Sequence, residues 1–454
     1  MEKSIDISDI DSNKKLSEKI IWFLMFILSI IHGLMEVVPG MLSSCVTEIK
    51  KDFNLTDKEF GLFGTFSGSG SFLGSLVFTL IIERANHKYL ISTMLLINCT
   101  SHFSFFFKFK YPFLLLSRFL CGFVCVFCFI YFPLWVDRFA MKKWVNFMQT
   151  FVQVSNTIGH ICGYFVYLFL GGKNWKYGFL FESLSISFLV FLMYLIPFKY
   201  YDKNYKNVEF VEETTTNVTN DSSEIKIEEE NETVLKDIIC NLPYVLVSFY
   251  RGNRLFIFAA INYWYSDYLQ KTLMEKNASK IFGSYSMIII SSLIGQLLGG
   301  IIINLIGGTR SKHCYVAMAI LQFICVLFGF CAPFTKSVII FTILMSLYIL
   351  INAASGIISI SASFAVMPKS LKGTATGIYS LLVNLIAFLP ASYAYAFIKS
   401  IVGDKYVIIV LMFYGLFGCF ELILADIYMR IKKIKLYKED DLISKEIELG
   451  NIIH

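Results

Sequence analysis

Charge is scarce in this chain: Asp, Glu, Lys and Arg make up 16% of its 454 residues, against 56% hydrophobic residues. A soluble globular protein carries about a quarter charged residues, so that class is excluded. The ~10-residue alternating segments of a transmembrane β-barrel are missing too. No Gly-rich phosphate loop, HExxH pair or nucleophile elbow occurs, which argues against an enzyme, and no cofactor is expected. The eleven cysteines show no paired or metal-ligand spacing. Most of them, Cys121, Cys125, Cys128, Cys162 and Cys325 among others, lie inside apolar runs as small packing residues. The first 19 residues are polar, so no cleavable signal peptide is expected and the first apolar run serves as the insertion signal.

What fills the chain is apolar runs of the length that crosses a ~30 Å hydrocarbon core as a helix. Spans are expected near residues 20–43, 59–82, 88–107, 111–136, 146–170 and 177–197, and again near 243–269, 281–306, 313–335, 337–362, 371–399 and 405–431. The fold class that follows is an all-α polytopic membrane protein of about twelve helices in two six-helix bundles. The expected division is a cytoplasmic tail at 1–19, a first bundle at 20–197, an acidic cytoplasmic linker at 198–238, a second bundle at 239–431 and a cytoplasmic tail at 432–454. The linker contains Glu212-Glu213 and Glu228-Glu229-Glu230 and reads as a solvated, disordered segment. Lys14, Lys15, Lys19, Arg84, Lys88, Arg138, Lys142, Lys143, Arg310, Lys312, Lys432 and Lys433 fall on one side, which the positive-inside bias makes cytoplasmic. The net charge of +6 is spread over these connections and reads as topology, not as nucleic-acid binding. Sequons at Asn54 and Asn277 fall on the opposite side.

Ionisable groups within spans cost several kcal/mol and are candidates for function. His32 and Glu36 in the first span are spaced i, i+4, on one helix face; either is suited to take up and release a proton, the alternative being a structural pair near the outer helix end. Arg251 and Arg254, three apart, suit a phosphate or carboxylate if they face a cavity, or snorkel if they lie near the cytoplasmic end. Arg118 and Glu182 are further candidates. His160 among glycines reads as packing, and Glu421 as peripheral or paired. Of the abundant phenylalanines, most are expected to face lipid or neighbouring helices.

Two short motifs carry a family resemblance. Glu83-Arg84 followed by His87-Lys88, between spans two and three, is similar to the charged turn of the major facilitator superfamily, with Thr79 in place of its leading glycine. Arg118-Phe119-Leu120-Cys121-Gly122 is similar to that family's Arg-x-x-x-Gly in helix four. Asn304–Arg310 is a looser echo of the turn in the second half that has lost the acid. Within the superfamily the chain most resembles the Spinster-like branch, through Asn54–Leu62, Asn86–Leu90, Gly159 with Gly163-Tyr164, Tyr263-Trp264 and Gly295–Asn304. It departs in helix one, where Val38-Pro39 stand at the branch's Asp-Arg positions. Glu36 lies two residues earlier, ~200° round the helix.

The resemblance implies a secondary transporter working by alternating access, with Arg118 facing the first bundle's interior. It implies a cytoplasmic gate of Glu83, Arg84, Asp137, Arg138, Asn304 and Arg310. It further implies proton coupling and a lysophospholipid or similar amphipathic lipid as substrate, in a monomer of the plasma or endolysosomal/vacuolar membrane. A small organic anion bound by Arg118 with Arg251 or Arg254, and a non-transporting receptor or scaffold, are the alternatives.

Overall fold

The computed structural model describes residues 18–81, 85–141, 144–170, 174–201, 238, 240–306, 313–367 and 372–432. Among them every regular element is helical. The first half comprises α1 (Glu18–Ser44), α2 (Val46–Phe53), α3 (Asp57–Ile81), α4 (His87–Phe106), α5 (Tyr111–Phe139), α6 (Val145–Leu170) and α7 (Lys176–Leu195), closed by a 3₁₀ turn, Phe198–Tyr200. The second comprises α8 (Leu242–Lys271), α9 (Ala278–Leu305), α10 (Cys314–Cys331), α11 (Val338–Ala365), α12 (Lys372–Val383), α13 (Leu389–Val402) and α14 (Val407–Lys432). A π-turn, Asn384–Phe388, fuses α12 to α13 into one long rod. Counting that rod once and leaving out the eight-residue α2, twelve long helices remain in the described chain, six in each half.

Eight of these are long and apolar enough to cross a membrane by length and composition alone. The four that fall short are α3, rich in glycine and serine, and α4, α6 and α8, which carry histidine, asparagine and arginine. The surface is apolar where a soluble protein's would be polar. On α7, Phe181, Leu184, Phe188, Phe191 and Leu195 form an exposed stripe at helical spacing, which only a lipid environment accommodates. Phe107 and Phe129 are likewise exposed, whereas Phe105 and Phe127 are buried in the core.

The chain alternates between two ends. Tyr201 and Ile238 lie at one, called proximal; α2 and the α4–α5 turn lie at the other, called distal. Short polar signals set the helix starts. Thr56 and Glu59 form a capping box at α3, with the Thr56 backbone N–H donating to Glu59 Oε2 (2.8 Å) and the Glu59 N–H to Thr56 Oγ1 (3.3 Å). Asn86, Asn241 and Asn277 cap α4, α8 and α9. At α2, a helix not anticipated from the sequence, Val46 and Ile49 point into the core. Asp52 accepts from Lys108 (2.7 Å) and from Trp175 Nε1 (3.0 Å). Burial works to raise the Asp52 carboxyl, but these two bonds outweigh it and hold the group below the usual carboxylate range.

Backbone-to-backbone contact between helices depends on glycine. A Cβ on Gly159 of α6 would sit 1.8 Å from the Gly33 carbonyl oxygen of α1, and one on Gly163 2.2 Å from that of Val37. Gly159→Ala must therefore push α6 off α1, an overpacking cost of about 1–3 kcal/mol. The expected result is a clear loss of monodisperse protein in detergent. Gly300→Ala, with nothing within 4 Å of the new Cβ, should have no such effect.

Candidate functional site: a carboxylate–imidazole pair between the halves

The glycine contacts of α1 and α6 bracket one polar pair. His160 Nδ1 lies 3.0 Å from Glu36 Oε2, on helices held together above and below by Gly33–Gly159 and Gly40–Gly163. Cys125 Sγ of α5 (3.8 Å) and the Asn156 side chain also reach the Glu36 carboxylate. The other ring nitrogen, His160 Nε2, is 3.3 Å from Asn262 Nδ2 on α8 of the second half. With Asn262 donating to Nε2, the ring donates to Glu36 through Nδ1. Tyr285 of α9 stacks on Tyr164 and lies against the His160 ring. The site therefore joins α1, α5 and α6 to α8 and α9. Glu36 is eight residues, about 12 Å, from the distal end of α1, and His160 ten residues, about 15 Å, from that of α6.

Two expectations change here. His32 does not pair with Glu36: its Nδ1 donates to the Val152 carbonyl oxygen (3.0 Å), and its ring packs against Phe129 and Phe132. His160, read as packing, is the partner, because the glycines around it let α6 approach α1 closely enough for its ring to reach Glu36. The remaining candidates separate. Glu182 is wholly buried and paired with His102 of α4 inside the first half. Arg118 is 4% exposed; its Nη2 donates to Ser67 Oγ (3.4 Å), and its charge acts on Glu182. Arg254 donates through Nη1 to the Asn352 backbone and side-chain oxygens of α11. Arg251 lies over the Tyr379 ring, 4.9 Å from its centroid. Glu421 is half-buried on α14 near Tyr414.

A second constellation had no precedent in the sequence reading. At the distal end three lysines and three aspartates join the halves. Lys50 and Asp57 of the first half pair with each other. Lys399 lies 3.0 Å from Asp57, 2.6 Å from Asp267 and 2.6 Å from Asp404. Lys271 lies 3.0 Å from Asp267 and 3.5 Å from Asp57. Asp267 is 1% and Lys399 7% exposed. Around them Thr47 donates to Gln270 Oε1 (2.8 Å), Tyr263 to the Phe60 carbonyl (3.1 Å) and Ser392 to the Gly61 carbonyl (2.8 Å). The signal that could have found it is local: Asp267 with Lys271, and Lys399 with Asp404, carry opposite charges four and five residues apart near helix ends, whereas Asp57, more than two hundred residues away, is joined to them only by the packing of the halves.

At the proximal end, Glu83, Arg84 and Arg310 and the side chain of Asp137 lie outside the described residues. Arg138 is half-buried near the end of α5, and Asn304 is exposed near the end of α9. The described part of the charged turn binds within the first half. Lys88 Nζ donates to the Tyr194 and Ile196 carbonyl oxygens (both 2.7 Å), capping the C-terminus of α7, and His87 stacks on Tyr131. Between the halves in this region, Asn384 of the π-turn donates to Ser75 Oγ (3.1 Å).

The sequence model of the Major Facilitator Superfamily matches residues 21–392, most of the chain. The chain belongs to this superfamily. A search of curated proteins finds no match. Among solved structures, it is similar to a bacterial homolog of the human lysosomal transporter Spinster in an inward-facing, unoccupied conformation (TM-score 0.67, 12% identity, 91% of this chain and 96% of that one covered). It is also similar to a D-xylose-proton symporter (0.68, 14%, 88% and 97%) and to the nucleoside transporter NupG (0.64, 13%, 88% and 99%). At these identities the likeness establishes the fold alone.

In this major facilitator transporter the two polar clusters that join the halves both lie toward the distal end, whereas Glu182–His102 and the Arg254–Asn352 contact are each internal to one half. A rocking motion of the halves breaks the first kind of contact and leaves the second intact.

Proposed function

We propose that this transporter is a proton-coupled symporter of an amphipathic lipid of the lysophospholipid class, with Glu36 and His160 as its proton site. The observation that carries the reading is that one imidazole touches the buried carboxylate of α1 on one side and Asn262 of the opposite half on the other. A proton added at His160 Nε2 turns an acceptor facing the Asn262 amide into a donor. Proton uptake is thereby linked to a bond that must break when the halves separate. A proton taken by Glu36 acts on the same pair by removing the charge that orients the ring. The aromatic rings beside the pair (Tyr164, Tyr285) and the sequence resemblance to the Spinster-like branch favour an amphipathic substrate over a sugar or a nucleoside.

In the proposed orientation the proximal end is cytoplasmic, as the lysine and arginine distribution suggests. The distal cluster then closes the non-cytoplasmic side. The test is uptake of labelled lysophospholipid by proteoliposomes with and without an inward-directed proton gradient. The expected result is faster uptake with the gradient, abolished by a protonophore. Uptake indifferent to the gradient, or equal to that of protein-free vesicles, counts against the proposal.

A further inference from the structure

Two guanidinium groups in the second half have no counter-charge among the described residues. Arg254 is 4% exposed and its Nε has no hydrogen-bond partner; Arg251 Nε and Nη1 are buried and without partners as well. The five carboxylates described in the second half are engaged or distant. Asp267 and Asp404 belong to the distal cluster, Glu275 pairs with Lys280, Asp426 with Arg430, and Glu421 sits by Tyr414 on α14. Both arginines act on the same ring, Tyr379, and on each other. Asn352 of α11 fixes the Arg254 fork, and Gly356 lies so close that a Cβ there would come 2.4 Å from Nη2. An uncompensated cation in a membrane interior costs several kcal/mol. An arrangement that holds two of them side by side with donors unused is paired when an anion arrives.

The register of α8 shows which way the less constrained one faces. Arg251 precedes Asn262 by eleven residues, three turns within about 20°. It therefore lies on the face that Asn262 and Ser266 present to the first half, toward the proximal end. Arg254 is turned about 80° from that face, toward α11.

We infer that Arg251 and Arg254 form an anion-binding site that takes the phosphate or carboxylate group of the transported substrate. This rests on the transport reading but not on proton coupling. The anion recognised is one that a planar guanidinium fork binds by two parallel hydrogen bonds. Arg254 lies eight residues, about 12 Å along α8, from Asn262. A small free anion bound at the arginines is out of reach of the Glu36–His160 pair; a lipid with its head group there extends far enough to touch both.

The experiment is ligand-induced thermal stabilisation of the purified full-length protein at fixed pH, with no gradient present. The probes are lysophosphatidate, the monoacylglycerol of the same chain length, and inorganic phosphate. Lysophosphatidate is expected to bind wild type at least tenfold more tightly than monoacylglycerol does. Arg251→Gln should lose that preference and Arg251→Lys should restore part of it. Arg254→Lys, which keeps the buried charge and is more tolerable to folding than a neutral residue, should weaken binding at least severalfold. Stabilisation by phosphate alone identifies a free anion as the source; stabilisation by lysophosphatidate without phosphate identifies a lipid head group. Either result supports the site. Equal binding of the charged and uncharged lipids by wild type, or an undiminished preference in Arg251→Gln, overturns it. Arg430→Gln, an exposed arginine paired with Asp426 on α14, should retain the preference; because no gradient is present, a failure of this site and a failure of proton coupling are read separately.

Discussion

Glu36→Gln should convert the transporter from a concentrating to an equilibrating one. One pH unit across the membrane is worth about 1.4 kcal/mol, or tenfold, per proton coupled. Wild type with a one-unit gradient is therefore expected to accumulate substrate up to about tenfold, and Glu36→Gln to stop at a ratio of about one. Glutamine keeps the shape of the side chain and can still accept from His160 Nδ1, so the protein should fold. Glu182→Gln is the informative contrast. It removes one partner of a fully buried pair confined to the first half, which costs about 3–5 kcal/mol of stability, but it should leave the accumulation ratio of the surviving protein unchanged. Equal accumulation ratios for wild type and Glu36→Gln, measured by labelled-substrate uptake to plateau, would remove Glu36 from the coupling step.

The second large effect is expected at the distal cluster. Asp57 of the first half lies 3.0 Å from Lys399 and 3.5 Å from Lys271 of the second. Asp57→Asn removes the charge that both lysines meet across the halves, a loss of about 1.5–3 kcal/mol that falls on the distal-closed state, because the Lys399–Asp267 and Lys271–Asp267 pairs are internal to the second half and persist when the halves part. Conformational states of a transporter differ by only a few kcal/mol, so the substitution should shift most of the population toward distal-open. Thr47 and Gln270 are hydrogen-bonded across the halves at this end. A cysteine pair at these two positions should cross-link readily in the parent protein and at least tenfold more slowly when Asp57→Asn is added. An unchanged cross-linking rate would show that the ion pairs do not hold the end closed.

The fold was legible because membrane solvation writes itself into the sequence as long apolar runs, and the six-plus-six grouping follows from the single long polar stretch between them. α2 was not legible: its eight residues are amphipathic and too short to register against the spans on either side. The site was legible by residue type but not by partner. Glu36 stood out as an intramembrane acid, yet sequence spacing offered only His32 as its neighbour. His160 lies 124 residues away, and only the glycine-mediated contact of α1 with α6 brings it within reach. The distal cluster failed to appear for the same reason. Asp57 belongs to the first half and Lys271 and Lys399 to the second, so their pairing exists only once the halves are packed. Lys88 illustrates the converse: its motif is recognisable locally, but its described contacts cap α7.

The most direct measurement of the central claim is proton movement itself. Proteoliposomes loaded with a pH-sensitive dye, with no initial gradient, receive lysophospholipid from outside. The account predicts acidification of the lumen as substrate enters through wild type, and none through Glu36→Gln at matched protein. Substrate entry through wild type without a change in luminal pH would contradict it.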